Sequence, residues 1–201
     1  MLLKVEKHNY SYKNMIQFNT EESVAKYFDK DTNPLCIQNL ILSFYDSVNY
    51  SFVGNLVIGS YDITHYELEK HYSDYNDEAD NLNINKIMQA LMGSSLRPEI
   101  NYNRPKLCVI WNLYISPEFR RCGIGGWLVE NLEDILFFYT GTRTCGFVAF
   151  PCPSVKIACE KESVPDRTDE MHQHMVNLIE RYDFVEIDNT NYFFKKCDEE
   201  V

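Results

Sequence analysis

The chain has 201 residues, of which 45% are hydrophobic, and this length predicts a single domain over residues 1–201. Its net charge of −11 argues against nucleic acid as a partner, because such binding needs a basic surface to displace counterions. No run approaches the roughly 18 apolar residues of a membrane-spanning helix, so no membrane partner is expected. Seven cysteines, an odd number without a Cys-x-x-Cys pair, favour free thiols in a reducing, cytoplasmic location over a disulfide framework.

The first 34 residues are polar and predict little regular structure. Residues 2–5 could form a short edge strand, and residues 21–27 could form a short helix capped by Thr20. The turn-forming cluster at residues 31–34 then separates this region from the first apolar run.

The next region predicts an antiparallel hairpin. Residues 35–45 and 51–63 are rich in Leu, Ile, Val, Phe and Tyr, and Asp46-Ser47-Val48-Asn49 links the two runs. Gly54 and Gly59 lie within the second run, where glycine indicates a bulge or a close packing contact.

Residues 65–105 are predicted to be an insertion between two strands. Residues 65–80 hold six acidic residues against one lysine, which indicates a solvated loop or a short exposed helix. Residues 83–92 carry apolar side chains on one side and are followed by Gly93, so they predict a helix. An insertion of this kind often borders a binding site, and a passive surface excursion is the equally good alternative.

The central stretch, residues 107–139, combines a strand, a glycine-rich turn and a helix. Residues 107–115 form an apolar run typical of a buried strand, and Pro117 ends it because proline lacks a ladder donor. Residues 124–139 then place apolar side chains at spacings of three or four, so these side chains share one helix face. The turn between strand and helix is Arg120-Arg121-Cys122-Gly123-Ile124-Gly125-Gly126.

This turn has the properties of a phosphate-binding site. Glycines allow the backbone to approach a ligand closely, and the unpaired N–H groups of a first helical turn favour negative charge. Arg120 and Arg121 add positive charge at the same place. The spacing does not fit the Gly-x-Gly-x-x-Gly turn of dinucleotide-binding folds, and the Gly-Lys-Ser/Thr of a P-loop is absent. The turn therefore predicts a phosphate-bearing ligand, but not one bound as in a dinucleotide-binding turn or a P-loop.

The remaining chain predicts a strand, an amphipathic helix and a closing hairpin. Residues 145–150 form a short apolar strand that ends in Pro-Cys-Pro, and residues 154–168 look irregular and charged. Residues 169–182 have an apolar helical face. Residues 184–187 and 192–195 flank a turn-forming cluster and predict the hairpin, which could pair across a homodimer or close a monomer.

From residue 107 to residue 195 this order of elements resembles the GNAT superfamily of acyl-CoA-dependent N-acyltransferases. The central motif of that family is Arg or Gln, two residues, Gly, one residue, then Gly or Ala, and Arg120 to Gly125 matches it. Phe184 leads the last hairpin, as in the family. The resemblance implies an α/β fold with a mixed, mostly antiparallel sheet that splays at its central strands and has flanking helices.

The resemblance also implies acetyl-CoA as acyl donor and an amine as acceptor, either a small molecule or a peptide. The family pattern assigns pyrophosphate contacts to Arg120, Arg121, Cys122, Gly123, Ile124, Gly125 and Gly126. It assigns backbone pairing with the pantetheine arm to Leu113, Tyr114 and Ile115. The strand at residues 145–150 would diverge from the central strand and open a slot for the thioester. The acidic segment at residues 65–80 would border the acceptor site and favour a cationic acceptor.

The two usual catalytic positions of the family are apolar in this chain. Residues 107–113 contain no carboxylate, where many members place a glutamate as base, and Ile179 stands five residues before Phe184, where many place a tyrosine as acid. The catalytic residues are thus unassigned, and the candidates for replacement are His172, Tyr182, Tyr114 and Asn112. We expect catalysis by positioning and water-mediated deprotonation, with backbone N–H groups at the end of the central strand polarising the thioester carbonyl.

Other chemistry finds little support in the sequence. Cys152 would need a lowered pKa and a nearby histidine to act as a nucleophile. The histidine pairs at residues 172 and 174 and at residues 65 and 71 have neither metal-ligand spacing nor accompanying ligands, so no metal is expected. Because both usual catalytic positions are apolar, a non-catalytic acyl-CoA-binding or protein-interaction module on the same fold is the alternative.

Overall fold

The computed structural model describes residues 16–20, 36–46, 50–63, 84–100, 103–104, 106–141, 143–163 and 168–197. The edge strand expected at residues 2–5, the helix expected at 21–27, the turn at 31–34 and the acidic segment at 65–80 lie outside the described residues.

The described residues form one seven-stranded sheet with helices on its faces. The strands are β1 (Ile16–Thr20), β2 (Cys36–Asp46), β3 (Phe52–Asp62), β4 (Lys106–Ile115), β5 (Gly146–Ala149), β6 (Val185–Glu186) and β7 (Phe193–Lys196). The helices are α1 (Ile84–Gly93), α2 (Ile124–Glu130), α3 (Leu132–Thr140), α4 (Pro151–Glu162) and α5 (Thr168–Glu180), with short 3-10 turns at Arg97–Glu99 and Pro117–Phe119. No helix in these ranges is long and apolar enough to cross a membrane.

The sheet is mixed and mostly antiparallel, which confirms the predicted fold class. Its strand order is β1-β2-β3-β4-β5-β7-β6, and β4 with β5 is the parallel pair among the described strands. The predicted hairpins are confirmed as β2–β3 and β6–β7. Strand β1 was not predicted and pairs with the edge of β2.

Two apolar clusters fill the two faces of the sheet. One packs β4 side chains such as Cys108 and Ile110 against α2, α3 and α5, and the other packs Val109 and Trp111 against α1. The register between β3 and β4 shifts at Trp111, because Val57 pairs with Asn112 while Ile58 pairs with Ile110. Trp111 is therefore the extra residue of a β-bulge, which redirects the end of β4.

Two glycines of β3 allow its close approach to β4. A Cβ at Gly54 would collide with the Tyr114 carbonyl, and a Cβ at Gly59 would lie 2.6 Å from Trp111 Nε1. The close packing predicted for these two glycines is thus confirmed, and it holds β3 against the bulged strand.

Helix α4 corrects the predicted irregular segment at residues 154–168 as far as Glu162, and residues 164–167 lie outside the described residues. The helix begins at Pro151, because the first N–H groups of a helix have no partner within it and proline lacks only such a group. It ends at Ser163, which has φ 55°. The prolines that indicated a strand end therefore also begin a helix. The predicted helix at 124–139 is divided at Asn131 into α2 and α3, although its apolar face is buried as expected.

Candidate functional site

The sheet opens between its two parallel central strands. Strands β4 and β5 pair from Leu107 with Gly146 to Ile110 with Ala149. Beyond that point β4 continues to Ile115 while the chain after β5 turns into α4. The backbone of residues 111–115 is therefore separated from β5, which is the splayed arrangement that the resemblance implies.

A cavity of about 650 Å³ lies at this opening. The end of β4, the turn after it, α4 and α5 all contribute to its wall. Of the residues predicted to hold the donor, those in the wall are Leu113, Tyr114, Ile115, Arg120, Arg121, Gly123, Ile124, Gly125 and Gly126. Cys122 is the exception: its side chain is exposed and its thiol lies 3.5 Å from the Arg120 carbonyl oxygen.

The turn from Arg120 to Gly126 has an unusual backbone. Arg121 has φ 61° and Gly123 has φ 84°, both in the left-handed region that non-glycine residues rarely adopt. The first donor of the helix ladder after this turn is Trp127, whose N–H bonds the Gly123 carbonyl at 3.0 Å. Left-handed residues in such a turn gather successive N–H groups into a concavity that suits an anion.

Arg120 connects three parts of the cavity wall. Its Nε donates to the Ile115 carbonyl at 2.8 Å, and its Nη1 donates to Glu162 Oε2 at 3.1 Å. Its Nη2 also donates to Glu162, so the pair is bidentate. The guanidinium thus joins the end of β4 to the end of α4. Sequence reasoning missed Glu162 because α4 was not predicted.

Two further arginines give the cavity positive charge. Arg121 and Arg181 are exposed and line the wall, one from the turn and one from the end of α5. The Lys161 ammonium lies 4.4 Å from the centroid of the Tyr114 ring, which is close enough for a cation–π contact. The wall also contains Glu162 and Glu170, so three arginines against two glutamates leave a small local excess of positive charge in a chain of net charge −11.

The histidines and tyrosine considered for catalysis near α5 differ in whether they line the cavity. The cavity wall includes His174 of α5 and Tyr182 of the turn that follows α5, whereas His172 lies outside the wall. Within the described part of the chain, His172 Nε2 is buried without a hydrogen-bond partner. Ile179 is 2% exposed and belongs to the core beneath the sheet.

The candidates on β4 also differ in their environment. Tyr114 lines the cavity, and burial, followed by the negative charge of Glu162, raises the pKa of its hydroxyl. Asn112 is buried outside the cavity wall, and its Nδ2 donates to Asn55 Oδ1 at 3.1 Å. Its Oδ1 is buried without a partner among the described residues.

Ser154 is the second residue that sequence reasoning missed. It lies in the first turns of α4, lines the cavity, and is 4% exposed. The Leu113 backbone N–H donates to its Oγ at 3.1 Å, beyond the last β4–β5 pair. The hydroxyl therefore contacts the part of β4 to which the pantetheine arm was assigned.

Cys152 does not have the environment of a nucleophile. Burial raises the pKa of its thiol, so the thiol form is favoured at neutral pH. Among the described residues, no group of three or more His, Cys, Asp or Glu side chains is arranged to hold a metal ion.

Residues 61–149 match the model of the Acetyltransferase (GNAT) family. The matched range includes α1, β4, the turn from Arg120 to Gly126, α2, α3 and β5. No curated protein matches the chain.

Proposed function

For a chain that carries a GNAT acetyltransferase family domain over residues 61–149, we propose transfer of an acetyl group from acetyl-CoA to a primary amine by direct attack in a ternary complex. The family implies an acyl-CoA donor. The acetyl group, the amine and the direct transfer are the proposed parts. The observation that carries the proposal is the cavity at the β4–β5 opening, which is walled by the turn from Arg120 to Gly126.

The residues of the turn fit a diphosphate. The left-handed φ of Arg121 and Gly123 bends the backbone into a concavity of N–H groups, and a side chain at Gly126 would have no room beside Tyr182. Arg121 and Arg181 add two guanidinium groups at the wall. Local positive charge is needed here because an acidic protein otherwise repels a polyanionic donor.

The separated end of β4 fits the amide-bearing arm of the donor. Its backbone from Asn112 to Ile115 has no ladder pair with β5. The Leu113 N–H bonds Ser154 and the Ile115 carbonyl accepts from Arg120, and the other groups on that side can pair with an extended ligand as a further strand would. When bound, acyl-CoA supplies an acyl group already activated as a thioester. The chain must then orient the amine, exclude bulk water and polarise the carbonyl through N–H donors at the end of β4.

The two usual catalytic positions carry neither a carboxylate on β4 from Leu107 to Leu113 nor a tyrosine at position 179. His174 and Tyr182 line the cavity and are within the same wall as the turn. We therefore propose that a water molecule removes the ammonium proton and that catalysis relies mainly on positioning. The acceptor is proposed to be an amine on a small molecule or peptide.

The direct test is calorimetric binding of CoA followed by thiol release from acetyl-CoA across a panel of amines and peptides. We expect CoA to bind and at least one amine to release thiol. Arg181→Glu should weaken CoA binding about tenfold, or about 1.4 kcal/mol, by reversing a charge in the wall. Lys86→Glu, the same charge reversal at an exposed residue of α1, is the matched control and should leave CoA binding unchanged.

The second candidate function is a non-catalytic acyl-CoA-binding module. The observation in its favour is the burial of Ile179 at 2% exposure, where many family members have an acid. Tight CoA binding without thiol release on any amine would support the module. Failure to bind CoA would contradict both functions.

A further inference from the structure

Ser154 lies where the two central strands have separated. Its hydroxyl oxygen is 3.1 Å from the Leu113 nitrogen, three residues beyond the last β4–β5 pair at Ile110. The residue is 4% exposed overall but lines the cavity, so its hydroxyl is sheltered from bulk water and still reachable from the cavity. It therefore contacts the separated part of β4 from within the cavity wall.

The hydroxyl retains a hydrogen-bond donor after contact with β4. A serine hydroxyl accepts through its lone pairs and donates one proton. The Leu113 N–H uses one lone pair. Within the described part of the chain no acceptor takes the proton of Ser154. A buried hydroxyl with an unused donor costs free energy unless a ligand or water accepts from it.

We propose that Ser154 is a catalytic residue whose hydroxyl, held in place by the Leu113 N–H that donates to it, donates a hydrogen bond to the thioester carbonyl oxygen. This role rests on the proposed function. As the amine nitrogen bonds to the carbonyl carbon, the C=O electron pair moves onto oxygen, where the Ser154 hydroxyl stabilises the developing charge. The pair then re-forms C=O, the carbon–sulfur bond breaks, and the thiolate leaves. The proton lost by the nitrogen passes to water or to the sulfur.

Other hydroxyls of the wall are less suited to this role. Tyr182 packs its ring end against Gly126, beside the phosphate-binding turn, and Tyr114 stacks on Phe52 with Lys161 over its ring. Ser154 alone among these three hydroxyls contacts a backbone N–H of the separated part of β4. The bond from Leu113 fixes the Ser154 oxygen at the opening and leaves the hydroxyl proton for a developing oxyanion.

The test compares Ser154→Ala with the wild type in three measurements. Removing one oxyanion donor lowers kcat about a hundredfold in well-studied cases, so we expect a loss of about that size. CoA lacks the acyl carbonyl, so its Kd should stay within about twofold, whereas acetyl-CoA binding should weaken more. The infrared carbonyl stretch of bound ¹³C-labelled acetyl-CoA should lie higher in the variant, because its carbonyl is less polarised.

Two further variants separate catalysis from folding. Ser60→Ala removes another buried serine, 3% exposed and bonded to the Cys108 thiol away from the cavity, and should leave kcat and the carbonyl stretch unchanged. Ser154→Thr keeps a hydroxyl and should restore most of the carbonyl shift. An unchanged carbonyl stretch in Ser154→Ala would overturn the proposal, as would equal losses of CoA and acetyl-CoA affinity.

The same measurements distinguish failure of the Ser154 hydrogen bond from failure of the proposed function. If the wild type binds acetyl-CoA but no amine reacts, amine transfer fails while the carbonyl stretch still supports or overturns the hydrogen bond from Ser154. If the wild type does not bind acetyl-CoA, the site assignment and the role of Ser154 fall together.

Discussion

Two adjacent glycines of the turn differ in what surrounds them, and substituting each by alanine separates helix stability from the shape of the cavity. A Cβ at Gly126 would overlap the Tyr182 hydroxyl and lie 3.1 Å from Tyr182 Cζ. A Cβ at Gly125 would meet only Leu178 Cδ2, at an ordinary 3.4 Å. The family motif also allows alanine at the position of Gly125. Gly125→Ala is thus a matched control for Gly126→Ala.

The free energy of unfolding should move in opposite directions in the two variants. Replacing glycine by alanine in a helix stabilises it by up to about 1 kcal/mol. At Gly126 this gain is opposed by overpacking, which costs about 1–3 kcal/mol in a filled site. The cost should be about 2 kcal/mol, because the added Cβ crowds Cζ and Cε2 of the Tyr182 ring as well as its hydroxyl. We expect Gly125→Ala to be slightly stabilised and Gly126→Ala to be destabilised by about 1 kcal/mol.

Ligand binding should separate the two variants further. Displacing Tyr182 from Gly126 pushes its ring into the cavity wall that both residues share. We expect the calorimetric Kd for CoA to rise about tenfold in Gly126→Ala, a loss of about 1.4 kcal/mol, and to stay within about threefold in Gly125→Ala. Urea denaturation measures the stabilities. Equal CoA affinities in the two alanine variants would refute the assignment of Tyr182 to the donor-binding wall.

The remaining predictions concern ionisation and the core. Glu162→Gln removes the carboxylate that pairs with Arg120, and the side chains of Arg120 and Glu162 are 34% and 16% exposed. The free energy of unfolding should fall by about 1 kcal/mol, while CoA should bind a few-fold more tightly. Weaker calorimetric binding of CoA would contradict this. Burial raises the pKa of Cys145 from 9.0 to about 12. The protonated thiol therefore contributes folding stability that is fully present below pH 9 and is lost as the pH rises toward 12. Between those values the unfolding free energy of the wild type should fall more steeply than that of Cys145→Ala, by about 1.4 kcal/mol per pH unit, and equal slopes in denaturant titrations would argue against burial as the cause. Ile179→Tyr should be destabilised by about 1–3 kcal/mol without a gain in the rate of thiol release, and a faster rate would show that position 179 reaches the cavity.

The parts of the fold that the sequence predicted have strong local patterns. The β2–β3 hairpin follows from two apolar runs and a turn, and α1 and α5 follow from apolar side chains at helical spacing. Strand β1 has only five residues at the sheet edge, and its pairing with β2 is a tertiary contact that no local pattern specifies. Local periodicity therefore accounts for the elements it predicted but not for the edge of the sheet.

Missing α4 had consequences for the site. Its first turn contains Pro151 and Pro153, and its charged second half has no pronounced apolar face, so composition suggested an irregular segment. The helix is specified instead by its packing against β4 and α5, where Val155 and Ala158 are buried. Because α4 was missed, Ser154 and Glu162 were missed with it, whereas the glycine turn depended only on its own residues.

The structure changes what the apolar residue at position 179 indicates about catalysis. Five residues before Phe184, Ile179 points into the core, while Leu178 and Tyr182 of the same region line the cavity. An acid at position 179 would therefore face apolar side chains in this chain, so its absence removes no hydroxyl from the cavity. Tyr182 and Ser154 place hydroxyl-bearing side chains in that wall by other routes. We infer that the apolar residue at 179 reflects the helical phase of α5 and is weak evidence for a non-catalytic module.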